Sequence, residues 1–166
     1  MRRRVLAAGV ALAALALGSA ASAQTKSNFA GTWALDVSRS EGLPPTLQQT
    51  VTITHEGDKV DMVIKQKSQQ GERTLNDVIT ADGKEGDFTM QMRGNEIKGK
   101  RTAKWSADGT ALEVSDKANV ETPNGTVAIE SSSKWTLSDG GKTLTIDQTR
   151  TTPRGPQTSK RVYTKK

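Results

Sequence analysis

The feature that most constrains this chain is its punctuation. From residue 55 onward, Gly-, Asn-, Asp- and Pro-rich turn signals recur at near-regular intervals: "HEGD", "QQGE", "ADGK", "RGNE", "SADGT", "TPNG", "SDGG" and "PRGP". The stretches between them alternate apolar and polar residues and are rich in Thr and Val, the pattern of half-buried antiparallel strands joined by hairpins. Ten strands are predicted, at roughly 31–38, 46–55, 59–68, 73–80, 85–93, 96–106, 110–121, 126–138, 142–152 and 158–165. After residue 23 no segment carries a helical period. The expected fold is an all-β, up-and-down antiparallel meander of about 8–10 strands closing into a barrel. Closure leaves no edge, and an even strand count lays "RVYT" (161–164) beside "GTW" (31–33).

A tight turn at Asp108-Gly109 sets the register of the sixth and seventh strands: Trp105 opposite Leu112, Ala103 opposite Val114. The solvent face then aligns charges of alternating sign, Glu85–Lys104–Glu113–Lys134–Asp147, with Lys117 opposite Glu130 and Arg93 opposite Glu96. Lys100 opposite Lys117 breaks the pattern.

Residues 1–23 read differently. Arg2, Arg3 and Arg4 precede an apolar run, Val5 to Leu17, and the small-x-small site Ala21-Ser22-Ala23. This is the pattern of a secretory signal peptide, too short to span a membrane. The expected mature chain begins at Gln24, forms one domain over 24–166, and is periplasmic or secreted, with no membrane span after cleavage. Without the leader arginines, 21 basic residues face 18 acidic ones, interspersed along the chain. With one Tyr and two Phe, there is no stacking platform for nucleic acid. There is no cysteine and a single histidine, His55, so neither a disulfide framework nor a zinc site is expected, and no cofactor. His55 precedes a Glu56-Gly57 turn and is expected in solvent. No nucleophile–base pair, phosphate loop or metal cluster points to an enzyme.

"GTWALDVSRS" behind a leader, the meander, and a last strand carrying Arg161 resemble the calycin (lipocalin-like) superfamily, in particular small exported bacterial lipocalin-like proteins. The resemblance implies that Gly31 and Trp33 form a plug at the closed end of the barrel, with Arg161 packing across the tryptophan. A Thr-Asp-Tyr type middle motif and a C-terminal helix are absent, and ten strands exceed the usual eight.

The inferred register places one polar row inside: Phe88–Arg101–Asp116–Ser131–Arg150, with Met90 and Met92 on neighbouring rows. Buried charges need partners. Either Arg101 and Arg150 clamp Asp116 in a dry network, or the row lines a wet cavity. In the second case the net positive charge suits a carboxylate on an apolar ligand, such as a fatty or isoprenoid acid. Gly99, Ala103 and Ala118 would leave space for it. The candidate ligand-binding residues are therefore Arg101, Asp116, Arg150, Ser131, Phe88 and Met90. Three functions fit: an exported carrier of a small hydrophobic or amphipathic ligand; a protein-binding barrel, such as an inhibitor of a secreted protease acting through the arm Gln24 to Asn28; or an envelope structural or stress protein without a defined ligand.

Overall fold

The computed structural model describes residues 26–166 apart from 70, 93, 94, 124, 153 and 154; the leader and its cleavage site lie outside the described residues. Ten strands follow in order: β1 (Gly31–Leu35), β2 (Gln48–Glu56), β3 (Lys59–Ser68), β4 (Gly71–Thr80), β5 (Glu85–Met92), β6 (Asn95–Trp105), β7 (Ala111–Thr122), β8 (Gly125–Ser138), β9 (Thr143–Thr152) and β10 (Gly155–Lys165). They form one antiparallel sheet in the order β4-β3-β2-β1-β10-β9-β8-β7-β6-β5. The result is a nearly closed barrel. Among the described residues no helix is long and apolar enough to cross a membrane.

Strand β10 does lie beside β1, with Ala34 facing Thr164 and Leu35 facing Tyr163. Full closure does not occur. β4 and β5 are the two free edges of the sheet, although "ADGK" reads as a hairpin between them. The link uses its backbone groups elsewhere: Ala81 N–H donates to the Asp58 carbonyl (2.7 Å) and Gly83 N–H to the Ala103 carbonyl (2.8 Å).

From β6 to β9 the inferred register holds residue for residue. The outer charge row runs Lys104–Glu113–Lys134–Asp147 and continues to Lys160 and, through an isolated bridge, to Glu41. β5 departs from expectation. It pairs two residues further along, with Met92 opposite Asn95, so Glu85 faces Thr102 rather than Lys104, and Phe88 faces Gly99 rather than Arg101. Arg93, expected opposite Glu96, is outside the described residues. A slide of two preserves which side chains point inward. It also resolves the Lys100–Lys117 clash, because Asp87 now faces Lys100 and its carboxylate lies 2.7 Å from the ammonium.

β1 is shorter than predicted. Asp36 accepts hydrogen bonds from the backbone N–H of Ser38 (3.1 Å) and Arg39 (3.3 Å) and pairs with the Arg39 side chain (2.8 Å). This local competition turns Val37–Arg39 into a 3-10 turn and ends the strand at Leu35.

The Gly-x-Trp motif at the start of the fold sits in a packed apolar cluster. Trp33 and Phe29 are both fully buried, and the Trp33 indole N–H donates to the Phe29 carbonyl at 2.8 Å. Gly31 has φ +138°, and a Cβ there would meet Lys165 Cε at 2.6 Å. Glycine therefore allows the Lys165 stem to cross and set its ammonium 5.2 Å from the Trp33 ring. The expected cation, Arg161, is not over that ring: it donates to Gln148 (2.9 Å) on the barrel interior. The register decides this, since the residue opposite Trp33 on β10 is Lys165, one full turn of the pleat beyond Tyr163.

His55 is not a solvated turn residue. It is half-buried and stacks against Phe29 (centroids 5.8 Å) and Trp105 (5.6 Å). Its Nδ1 accepts the Phe29 backbone N–H (3.1 Å), which fixes the other ring nitrogen, Nε2, as the donor to the Gly57 carbonyl (3.2 Å). Burial holds its pKa below the ordinary value; the Gly57 carbonyl and Asp58 pull the other way, and Lys26 adds to the depression. The neutral ring is thus the folded form. Its contribution is full above about pH 6.5 and is lost as pH falls through that value toward the folded pKa. Urea midpoints should fall from pH 7 to pH 5 more steeply in the wild type than in His55→Gln; parallel slopes would show that the ring is not held neutral.

Candidate ligand-binding interior

Inside the barrel lies a cavity of about 360 Å³, walled by strands β2 to β10. One wall is mostly apolar: Val51 and Ile53 on β2, Met62 and Ile64 on β3, Leu75 and Ile79 on β4. Across from it, β8 to β10 contribute Ser131, Ser133, Gln148, Arg150 and Arg161. The period of two along each strand produces this, since every second residue of a half-polar strand faces in.

All six candidate residues, Phe88, Met90, Arg101, Asp116, Ser131 and Arg150, line this one space. Their pairing differs from expectation. Arg101 clamps Asp116 in a two-pronged contact, Nε to Oδ1 at 2.7 Å and Nη2 to Oδ2 at 2.9 Å. Its second partner is not Arg150's side of the row but Asp77 on β4, 2.7 Å from Nη1, with the Val78 carbonyl at 3.1 Å. Burial opposes the charge on Arg101, but its bonds to Asp116 and Asp77 outweigh that, and its pKa is raised. The guanidinium also lies over the Phe88 ring, 4.6 Å from the centroid. Gly99 makes this possible: a Cβ there would stand 2.5 Å from Phe88 Cε1, so the space expected to remain open at Gly99 is filled by the ring. Ala103 is likewise consumed by the core, at 1 % exposure.

Asp77 went unread in the sequence, although "LNDVI" places it between the inward Leu75 and Ile79, the same signal that marks Asp116. Arg161 also belongs to this cavity. A second polar chain joins Tyr163 to Gln49 (2.5 Å) and Gln49 to Gln66 (3.2 Å). Burial pushes the Tyr163 phenol up to about 12, with Arg161 acting weakly against it, so it is a neutral donor at physiological pH. Arg150 has no hydrogen bond or ion pair among the described residues, though it is half-buried on the cavity wall. The interior therefore holds three arginines against two aspartates, and the two aspartates are both committed to Arg101. Among the described residues no three His, Cys, Asp or Glu side chains cluster to hold a metal.

No protein-family model matches the chain, and no curated protein matches it in sequence. Among solved structures it is similar to the zebrafish ileal bile acid-binding protein complexed with cholic acid. The TM-score is 0.51 at 18 % identity, covering 83 % of this chain and 98 % of that one. The likeness is one of fold, a nearly closed antiparallel β-barrel.

Proposed function

We propose that the barrel is a calycin-superfamily carrier or sequestering protein that holds a small amphipathic acid in its interior, without catalysing a reaction. The observation that carries this reading is Arg150: a half-buried cation with no hydrogen bond or ion pair among the described residues, on the wall of a cavity whose other side is mostly apolar. Even a half-buried cation lacking a counter-charge carries part of the cost of a buried one. A ligand carboxylate would supply that charge, with the Arg161 guanidinium in the same cavity. The apolar body of the ligand would lie against Val51, Ile53, Met62 and Ile64. A volume of about 360 Å³ falls in the range of small-molecule sites. The similar barrel is named for binding a bile acid, which supports the class of ligand and not its identity.

The protein-binding alternative relied on a free N-terminal arm. Ser27 is bonded to Gly109 and Thr110 at the β6–β7 turn, and Lys26 pairs with Asp58. These contacts favour the carrier reading. Export to the periplasm or beyond belongs to the same proposal and is supported by the leader pattern of residues 1–23.

The test is a titration of cis-parinaric acid and its methyl ester against wild type and Arg150→Met. The wild type should prefer the acid, and Arg150→Met should lose about 1.5–3 kcal/mol of that preference while binding the ester as before. Equal binding of acid and ester by both proteins would remove the anion site; no binding by either would remove the carrier reading.

A further inference from the structure

The sheet has one unpaired seam, between β4 and β5, and the Arg101 side chain crosses it with hydrogen bonds. At one end the seam is fastened by the Ala81–Lys84 link through its bonds to Asp58 and Ala103. Along the strands themselves no ladder joins the two edges. Among the described residues, the hydrogen bonds that cross are those from Arg101 Nη1 to Asp77 and to the Val78 carbonyl. Arg101 sits on β6 and reaches past β5, where the residue opposite it is Gly86, which puts no side chain in its path.

We propose that the Arg101–Asp77 pair is a latch on this seam, and that ligand enters and leaves the interior between β4 and β5 when the latch opens. The proposal rests on the reading of the cavity as a binding site. Three observations carry it. The seam opens directly onto the cavity, because Leu75, Asp77 and Ile79 on one edge and Phe88 and Met90 on the other all line it. At the end where the Gly-x-Trp motif sits the interior is packed, with Phe29 and Trp33 fully buried in the main apolar core, so that end offers no route in.

The third observation is an asymmetry in the bonds of Arg101. It holds Asp116 with two nitrogens, inside the continuous β6–β7 ladder, and Asp77 with one, across the gap. When β4 swings away, the guanidinium keeps its bidentate carboxylate and its place over Phe88, so no unpaired charge is left inside. Asp77, whose side chain is already 28 % exposed, passes into water. Opening therefore gives up the Nη1 contacts to Asp77 and the Val78 carbonyl and leaves the bidentate pair with Asp116 intact, which a symmetric clamp could not do.

Stopped-flow fluorescence with cis-parinaric acid and its uncharged methyl ester, on wild type and Asp77→Ala, tests this. The ester is the main probe because the variant changes interior charge. Association and dissociation rates of the ester should both rise roughly tenfold in Asp77→Ala, the value of one charge-assisted hydrogen bond, with Kd nearly unmoved. Hydrogen exchange of the β4 amides from Leu75 to Val78 should quicken in the variant without ligand. If the wild type binds but both ester rates stay the same in Asp77→Ala, the latch is overturned and the binding site stands. If the wild type binds the acid alone, its association rate is compared instead, and an unchanged rate overturns the latch. If the wild type binds neither probe, both readings fall.

Discussion

Trp33→Ala should lower the unfolding free energy by about 3–5 kcal/mol, more than Trp105→Ala or Trp135→Ala, in urea melts followed by circular dichroism. Trp33 is 0 % exposed, whereas Trp135 keeps 6 % and Trp105 is only half-buried. Its loss removes on the order of 200 Å² of buried surface. It also strands the Phe29 carbonyl, which accepts the indole N–H, and leaves the Lys165 ammonium without the ring beneath it. The neighbours cannot easily collapse into the space, because Gly31 and Lys165 form a fixed crossing above it. A loss no greater than that of Trp105→Ala would mean that the ring seals nothing.

Arg101→Met should cost about 2–4 kcal/mol at neutral pH, less than a fully buried ion pair because its partners are partly hydrated. The side chains of Arg101, Asp116 and Asp77 are 10 %, 15 % and 28 % exposed. Methionine fills much of the volume but leaves two carboxylates facing one another across the seam. Adding Asp116→Asn to Arg101→Met should recover part of the loss, since one of the two stranded charges is then gone. Additive losses in thermal or urea melts would show that the three side chains do not form one network.

What could be read from the sequence, and what could not, divides along the range of the forces involved. Hairpin registers from β6 to β9 are local consequences of turn chemistry and alternation, so Arg101, Asp116, Ser131 and Arg150 could be placed in one row from spacing alone. The β5 register needed knowledge of where "MRGNE" turns; two placements keep the same faces, and the better one is decided by the fit of Phe88 over Gly99, a contact between strands. Alternation could place Asp77 inside, but its tie to Arg101 lay beyond ladder reasoning. β4 has no neighbour on its far side, so its tie to Arg101 is made by the length of an arginine rather than by pairing. The exchange of Arg161 for Lys165 over Trp33 turned on where β10 meets β1, which only three residue pairs define. His55 was misread because its partner, the backbone N–H of Phe29, belongs to the segment before the first strand.

That same short junction governs how the chain assembles. Every other strand pairing joins neighbours in sequence, so β1 to β4 and β5 to β10 can each zip up locally. Among the strand pairings, β1–β10 brings together opposite ends of the chain, through Trp33–Lys165, Ala34–Thr164 and Leu35–Tyr163, with the Glu41–Lys160 bridge beside it. Closing a loop of that length carries most of the ordering entropy that local zippering avoids. The Gly-x-Trp motif is therefore also a clasp: the tryptophan and the lysine that crosses it sit at the one place where the two arms of the meander must find each other.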